Sequence, residues 1–355
     1  MTADMHTALQ SLQSSLRQMM TWFLSPKSLG LEHDGQHAVK MVANHLSEGY
    51  SILESSIRQN RTSEFEVHKF RKADYQSNDK DYLTPVVGLG DWVNHTIPEH
   101  VKDFMIHGSL ATQDYSRGWS DFDTFLIISR DTCTNGIAIT DLRSKLLSAY
   151  KFLTSIDPLQ HHGFLLCSEV DLFRYHESIL PLPVLEKAKS YLGHMTHHFN
   201  PIVDIDHNKK HIAMKAKFFR KAGQLGIMQH HAYKGIYLKS HYRNAENGLF
   251  QLKYLLGNVA FAPCYYAGAM GQPLYKRDAI DFVKPLLSDA SLSFLNSATT
   301  VRREWSKREK FPYRGNRIPD WIASYVDPDY IENLGLFFSE LDTLVSNPTK
   351  QSNTD

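Results

Sequence analysis

The residues best equipped for chemistry lie between His107 and Ile128. His107-Gly108-Ser109 is followed, after eleven residues, by Asp121-Phe122-Asp123-Thr124 and the apolar run Phe125-Leu126-Ile127-Ile128. Asp121 and Asp123 are two apart at the start of a strand, so both side chains point to one face. Two carboxylates held about 5–7 Å apart repel each other unless a cation sits between them. The cation suited to an all-oxygen pair is Mg²⁺, with Mn²⁺ as a substitute. A glycine after a strand lets the backbone turn sharply and approach a ligand. The N–H groups beyond Gly108, with the Ser109 hydroxyl, can then bind phosphate oxygens.

A clamp for two metal ions needs a third acid. Glu169-Val170-Asp171-Leu172-Phe173, read as part of a strand over 164–173, offers two acids on one face. Asp171 is the first choice, because apolar residues follow it much as they follow Asp123; Glu169 is the reserve. Each piece also has a plainer reading: a solvated strand start for Asp121 and Asp123, a generic turn for Gly108-Ser109, and an ion pair with Arg174 for Asp171 or Glu169.

Taken in order, Ile106-His107-Gly108-Ser109, Asp121-Phe122-Asp123 and the later strand acid Asp171 resemble the signature of the DNA polymerase β-like nucleotidyltransferase superfamily. Ser120 before Asp121 matches many of its small-molecule and minimal members. The resemblance covers residues 100–175, under a quarter of the chain, and singles out no subfamily. It implies two Mg²⁺ ions bridging Asp121, Asp123 and a triphosphate, with Asp171 sharing one ion and helping to remove the acceptor's proton. A nucleoside monophosphate then passes from an NTP, ATP included, to an acceptor hydroxyl, and pyrophosphate leaves. The resemblance also implies a base on the helix after the core that grips the β- and γ-phosphates, a role open to Lys215 or Lys217; Gly108, Ser109 and Ser120 complete the nucleotide site. A small-molecule acceptor is the expectation. The alternatives are RNA, a protein, a second nucleotide, or a catalytically dead interaction protein.

These residues need a scaffold, and the rest of the sequence describes one. Apolar residues make up 42% of the 355 and charged residues 22%, a globular mixture that excludes a disordered chain. Lys and Arg (39) nearly balance Asp and Glu (38), which disfavours a broad nucleic-acid-binding surface and so favours the small-molecule acceptor over RNA. Cys133, Cys167 and Cys264 are too few and too scattered for a disulfide framework, which suits a reducing, cytoplasmic compartment. The N-terminal residues lack the pattern of a secretory signal. The charge-free stretch 254–275 contains prolines and several glycines and reads as a buried helix followed by a turn, not a membrane span.

Helical spacing predicts helices over 4–24, 35–58, 92–102 and 142–153, with strands over 104–107, 122–128 and 164–173. Residues 64–81 read as a connector without a clear period. Beyond Lys209 the pattern predicts helices at 209–225, 229–243, 246–262, 276–287, 291–310 and 329–345, and no strand. The expected fold is therefore α+β: an N-terminal helical region (1–90), a nucleotidyltransferase-type mixed sheet core (91–200) and a C-terminal helical domain (201–355).

Several other features invite chemistry and read better as structure. The histidine clusters (161–162, 194 with 197–198, 230–231 with 241) lack a zinc-ligand spacing and read as surface or core residues. The basic runs 209–221 and 302–317 read first as solvated helix faces, the second partly balanced by Glu304 and Glu309.

Overall fold

Leu16, Met20 and Phe23 recur at helical spacing on α1 (Ala3–Phe23) and are buried. α1 packs on α2 (Gln36–Ser55), which turns Val39, Ala43, Leu46, Tyr50 and Leu53 inward. This computed structural model describes residues 3–56, 63–75, 79–156, 163–177, 179–202, 205–230, 233–238, 248–310, 317–327 and 329–347. After α2 come β1 (Ser63–Lys69), α3 (Lys80–Thr96), β2 (Val101–Ile106), α4 (Gly108–Thr112), β3 (Thr124–Ile128), α5 (Arg130–Cys133) and α6 (Gly136–Ile156). There follow β4 (Leu165–Ser168), α7 (Glu169–Leu172), β5 (Tyr175–His176), α8 (Leu182–Leu185), β6 (Lys189–Ser190), β7 (Met195–Phe199) and β8 (Pro201–Ile202). The remainder is α9 (Ile205–Leu225), β9 (Ile227–His230), β10 (Tyr233–Leu238), α10 (Gly248–Ala269), α11 (Arg277–Val283), α12 (Asp289–Arg308) and α13 (Tyr330–Ser346).

The fold is α+β, and the chain forms two compact units. One comprises Met1–Tyr115 and Ser120–Val203; the other comprises Asp204–Asp355 together with the short segment Ser116–Trp119. The first unit holds a mixed sheet in the order β4-β3-β2-β6-β1-β7. β2 runs antiparallel to β3 and β6, whereas β3 and β4 are parallel and joined by the crossover helix α6. All five residues of β3 are buried, as its unbroken apolar run requires of a strand covered on both faces. α3 and α2 both pack on α6, so residues 1–90 fold with the sheet in one unit.

Three expectations for the first unit are corrected. Residues 64–81 do not form a plain connector. Phe65 and Val67 alternate with Glu64, Glu66 and His68, and this short period-two pattern pairs as β1 with β7. The helix expected over 92–102 is the end of the longer α3, which stops at Thr96 before β2 begins. The strand expected over 164–173 ends at Ser168, where the chain turns into α7.

In the second unit, α9 packs against α10 and α13 through Ile212, Ala216 and Phe219, with the Phe219 and Phe338 rings stacked 5.7 Å apart. The close crossing of α9 and α13 depends on Gly335, where a Cβ would stand 2.8 Å from the Arg220 backbone nitrogen. The helix expected over 229–243 is overturned where the chain is described: β9 and β10 form an antiparallel pair, and 231–232 and 239–243 lie outside the described residues. The charge-free stretch forms the rest of α10 and the turn after it, and no described helix is long and apolar enough to cross a membrane.

Candidate functional site

The apolar strand β2 ends at Ile106, and the chain turns at Gly108, whose φ of +67° lies in the left-handed region that favours glycine. α4 follows for five residues and stops at Gln113, also left-handed at φ +60°. Tyr75 holds α4 by donating its hydroxyl to the Leu110 carbonyl at 2.8 Å. The returning strand brings Asp123 back beside the turn: the His107 N–H donates to the Asp123 carbonyl at 3.1 Å. The Asp123 carboxylate lies over the Gly108 Cα, where a Cβ would stand 2.4 Å from Oδ2. Glycine is thus required at this position twice, by its φ and by the carboxylate above it.

Asp121 and Asp123 are half-exposed while Phe122 between them is fully buried, so the two carboxylates share the open side of the chain. Ser109, which follows Gly108, and Ser120, which precedes Asp121, are both buried, and the Tyr82 hydroxyl reaches the Ser120 carbonyl at 3.4 Å. The structure therefore brings Gly108 and Asp123 together and keeps Asp121 and Asp123 on one side. Such a pair, with one carboxylate packed directly over the glycine, has the donor chemistry of a hard divalent cation that takes its remaining oxygens from a ligand.

Asp171 does not belong to this site. β4 is parallel to β3 with Ser168 opposite Ile128, and Asp171 lies beyond Ser168. Asp123 precedes the other end of β3, which puts about 16 Å of strand between their levels at ~3.3 Å per residue. The Asp171 carboxylate is fully buried and committed to a capping box: the Ser168 N–H donates to Oδ2 at 2.8 Å, and the Ser168 hydroxyl accepts from the Asp171 N–H at 3.1 Å. The Tyr50 hydroxyl lies 3.3 Å from the same oxygen. Burial pushes the Asp171 carboxyl's pKa up, against the lowering effect of the Ser168 N–H. Asp171 is therefore corrected from metal ligand and proton acceptor to helix cap. Glu169, the reserve, is no replacement: it accepts the Arg130 N–H at 3.0 Å and pairs with Lys102 at 3.6 Å, at the same far end of the sheet. The supposed common strand face of Glu169 and Asp171 does not exist, because both lie on a helical turn.

At the level of Thr124 the register runs through Ile106, Lys189 and His68, and the next step on β4 before Leu165 is Phe164. That row contains no third acid. It does contain Lys189, which the sequence reading passed over. This lysine is half-buried against the Tyr75 ring, its ammonium 3.4 Å from the Tyr75 hydroxyl, and burial lowers its pKa.

Lys215 and Lys217 sit on α9 in the second unit. Lys217 is exposed. Lys215 is half-buried, 3.2 Å from the Tyr254 hydroxyl and over the Tyr254 and Phe219 rings, and desolvation lowers its pKa to about 8. His211, one turn earlier, lies against the Tyr265 ring, their centroids 4.0 Å apart and the planes tilted, and its pKa is lowered to about 4 by burial and by Lys215.

A second group of metal-capable side chains, Glu99, His100 and Asp141, gathers where β2 begins, opposite the Gly108 end. Lys145 already fills it: its ammonium is 2.8 Å from Glu99 Oε1, 2.8 Å from Asp141 Oδ2 and 3.2 Å from His100 Nε2. The group is a lysine-centred ion cluster. The described histidines of the 194–198 run divide as expected, His197 buried 2.8 Å from Asp103 and His194 and His198 exposed near Glu66 and Glu64. His161, His162, His231 and His241 lie outside the described residues.

No protein-family model matches this chain, and no curated protein or solved structure matches it significantly.

Proposed function

We propose that the chain is a divalent-metal-dependent nucleotidyltransferase that moves a nucleoside monophosphate from an NTP to a hydroxyl of a small molecule and releases pyrophosphate. The observation that carries this reading is the Asp123 carboxylate seated over the left-handed Gly108, with Asp121 beside it on the open side of a buried Phe122.

Asp121 and Asp123 would hold the cation; when bound, it neutralises triphosphate charge and polarises the α-phosphoryl group. The N–H groups of the turn after Gly108 and the Ser109 hydroxyl are the groups that would take phosphate oxygens. Because Asp171 is out of reach, the Asp121–Asp123 pair also takes over the acceptor's proton, a task assigned to a third acid in the sequence reading. Lys189 adds positive charge at the same end of the sheet. The near balance of acids and bases favours a small acceptor over a polynucleotide.

The test is to incubate the protein with each labelled NTP and Mg²⁺, alone, with a small-molecule extract and with RNA. Label transferred to a small molecule by the wild type and not by Asp123→Asn supports the reading. Transfer to RNA redirects the acceptor, and no transfer under any condition removes the activity.

A further inference from the structure

His207, His211, Lys215 and Phe219 recur every four residues on α9 and so share one face of that helix. Within the second unit α10 packs on α9 and brings two tyrosines to this face, Tyr265 against His211 and Tyr254 against Lys215. The Lys215 ammonium sits over the Tyr254 ring at 5.3 Å and the Phe219 ring at 5.7 Å, and its Nζ lies 3.2 Å from the Tyr254 hydroxyl. One turn earlier, the buried Nε2 of His211 has no hydrogen-bond partner among the described residues.

A lysine on a helix face ordinarily carries its ammonium to water or to a carboxylate. Lys215 is instead half-buried between two rings, and no described carboxylate pairs with it. Burial lowers its pKa to about 8, so a sizeable share of the amine is neutral at physiological pH. Burial raises the pKa of Tyr254, which therefore keeps its hydroxyl proton there. A grip on phosphate needs the positive charge that burial here disfavours. A desolvated amine with a proton donor at hydrogen-bond distance suits attack on a carbonyl carbon.

We propose that Lys215 is a carbonyl-capturing nucleophile for a small planar aldehyde, with the Tyr254 hydroxyl as proton donor and the Tyr254 and Phe219 rings as the apolar wall beside it. The Nζ lone pair adds to the carbonyl carbon, and one nitrogen proton passes to the oxygen to give a carbinolamine. Its hydroxyl leaves as water with a proton from Tyr254, and the second nitrogen proton returns to Tyr254 as the C=N bond forms. Amine and aldehyde become imine and water, with no oxidant or reductant consumed. The inference uses the second unit alone and stands apart from the nucleotidyltransferase reading.

The experiment incubates the full chain with benzaldehyde, traps the imine with cyanoborohydride and maps the adduct by peptide mass spectrometry. Wild type, Tyr254→Phe and Lys215→Arg are compared. Adduct on wild-type Lys215 should exceed that on the exposed Lys210 and Lys217 by about tenfold or more. Its initial rate should saturate with aldehyde concentration, the mark of a complex formed before the bond. Tyr254→Phe keeps the ring and loses the donor; it should slow trapping at Lys215 by about tenfold or more, while acetylation of Lys215 by acetic anhydride stays within about threefold of wild type. Lys215→Arg should abolish the fast adduct. Even labelling of the three lysines, a rate that climbs linearly without saturation, trapping at the wild-type rate in Tyr254→Phe, or a fast adduct that survives in Lys215→Arg overturns the proposal. The wild-type map and its concentration dependence decide the matter if a variant fails to fold.

Discussion

At the scale of single residues, Gly108 and Asp171 make opposite demands. Gly108→Ala forces a Cβ into left-handed backbone, at a cost of about 1–2 kcal/mol, and aims it at the Asp123 carboxylate. The expected result is a melting temperature lower by a few degrees and a fall in label transfer of ~10²-fold; unchanged transfer would show that the turn plays no part in the chemistry. Asp171→Asn should leave kcat within about threefold of wild type at saturating Mg²⁺ and NTP, because the carboxylate is too far away to act. Its effect belongs to stability. A buried carboxyl with a raised pKa keeps its proton when the unfolded chain has lost one, so it makes the wild type less stable as pH rises through that interval. Urea denaturation from pH 4 to 8 should therefore show the Asn variant gaining on the wild type as pH rises. Asp121, Asp123 and Gly108 were legible in the sequence because an Asp-Phe-Asp alternation and a glycine after an apolar strand each dictate local geometry. Asp171 was misread, although its signal was present: Ser168 three residues before an acid is a capping pattern, and the apolar residues around it suit a helical turn as well as a strand.

At the scale of elements, β3 and β4 show what sequence reading can and cannot supply. The four-residue apolar run Phe125–Ile128 marks a buried central strand. Which end of β4 adjoins Asp123 depends on parallel pairing through α6, and no residue type records that. β1 was missed because only Phe65 and Val67 carry its alternation, and its pairing with β7 is non-local. The helix α9 offers a separate test. Lys215 has a pKa of about 8, so at pH 8 about half of it is neutral, against roughly 0.3% of an ordinary lysine. An acylating reagent used at limiting dose, with peptide mapping, should modify Lys215 faster than the exposed Lys210 and Lys217; equal labelling would contradict its half-buried setting. The sign for stability follows. A lowered lysine is a burden below pH 8 that lightens as pH rises toward 10.5, so the advantage of Lys215→Met over the wild type should shrink across that range. Element junctions carry energy as well. The buried Arg143 of α6 donates to the Ser28 hydroxyl and carbonyl and to Glu32, and Arg143→Ala should cost about 1–3 kcal/mol by urea denaturation.

At the scale of the whole molecule, an α+β unit carries the two carboxylates, and the second unit is built, among the described residues, of helices and one strand pair. In the function proposed above, Asp121 and Asp123 beside Gly108 form a divalent-cation site completed by a triphosphate. With two acids and no third in the same row of the sheet, the protein alone should hold the metal weakly, and a triphosphate without metal should be repelled. Each should strengthen the other. The measurement is calorimetric titration of the wild type and Asp123→Asn with NTP, in Mg²⁺ and in chelator. Wild-type affinity should be at least about tenfold higher with Mg²⁺, some 1.4 kcal/mol, with no such gain in Asp123→Asn. Equal wild-type affinity with and without Mg²⁺, or a gain that survives in the Asn variant, would contradict the proposed site.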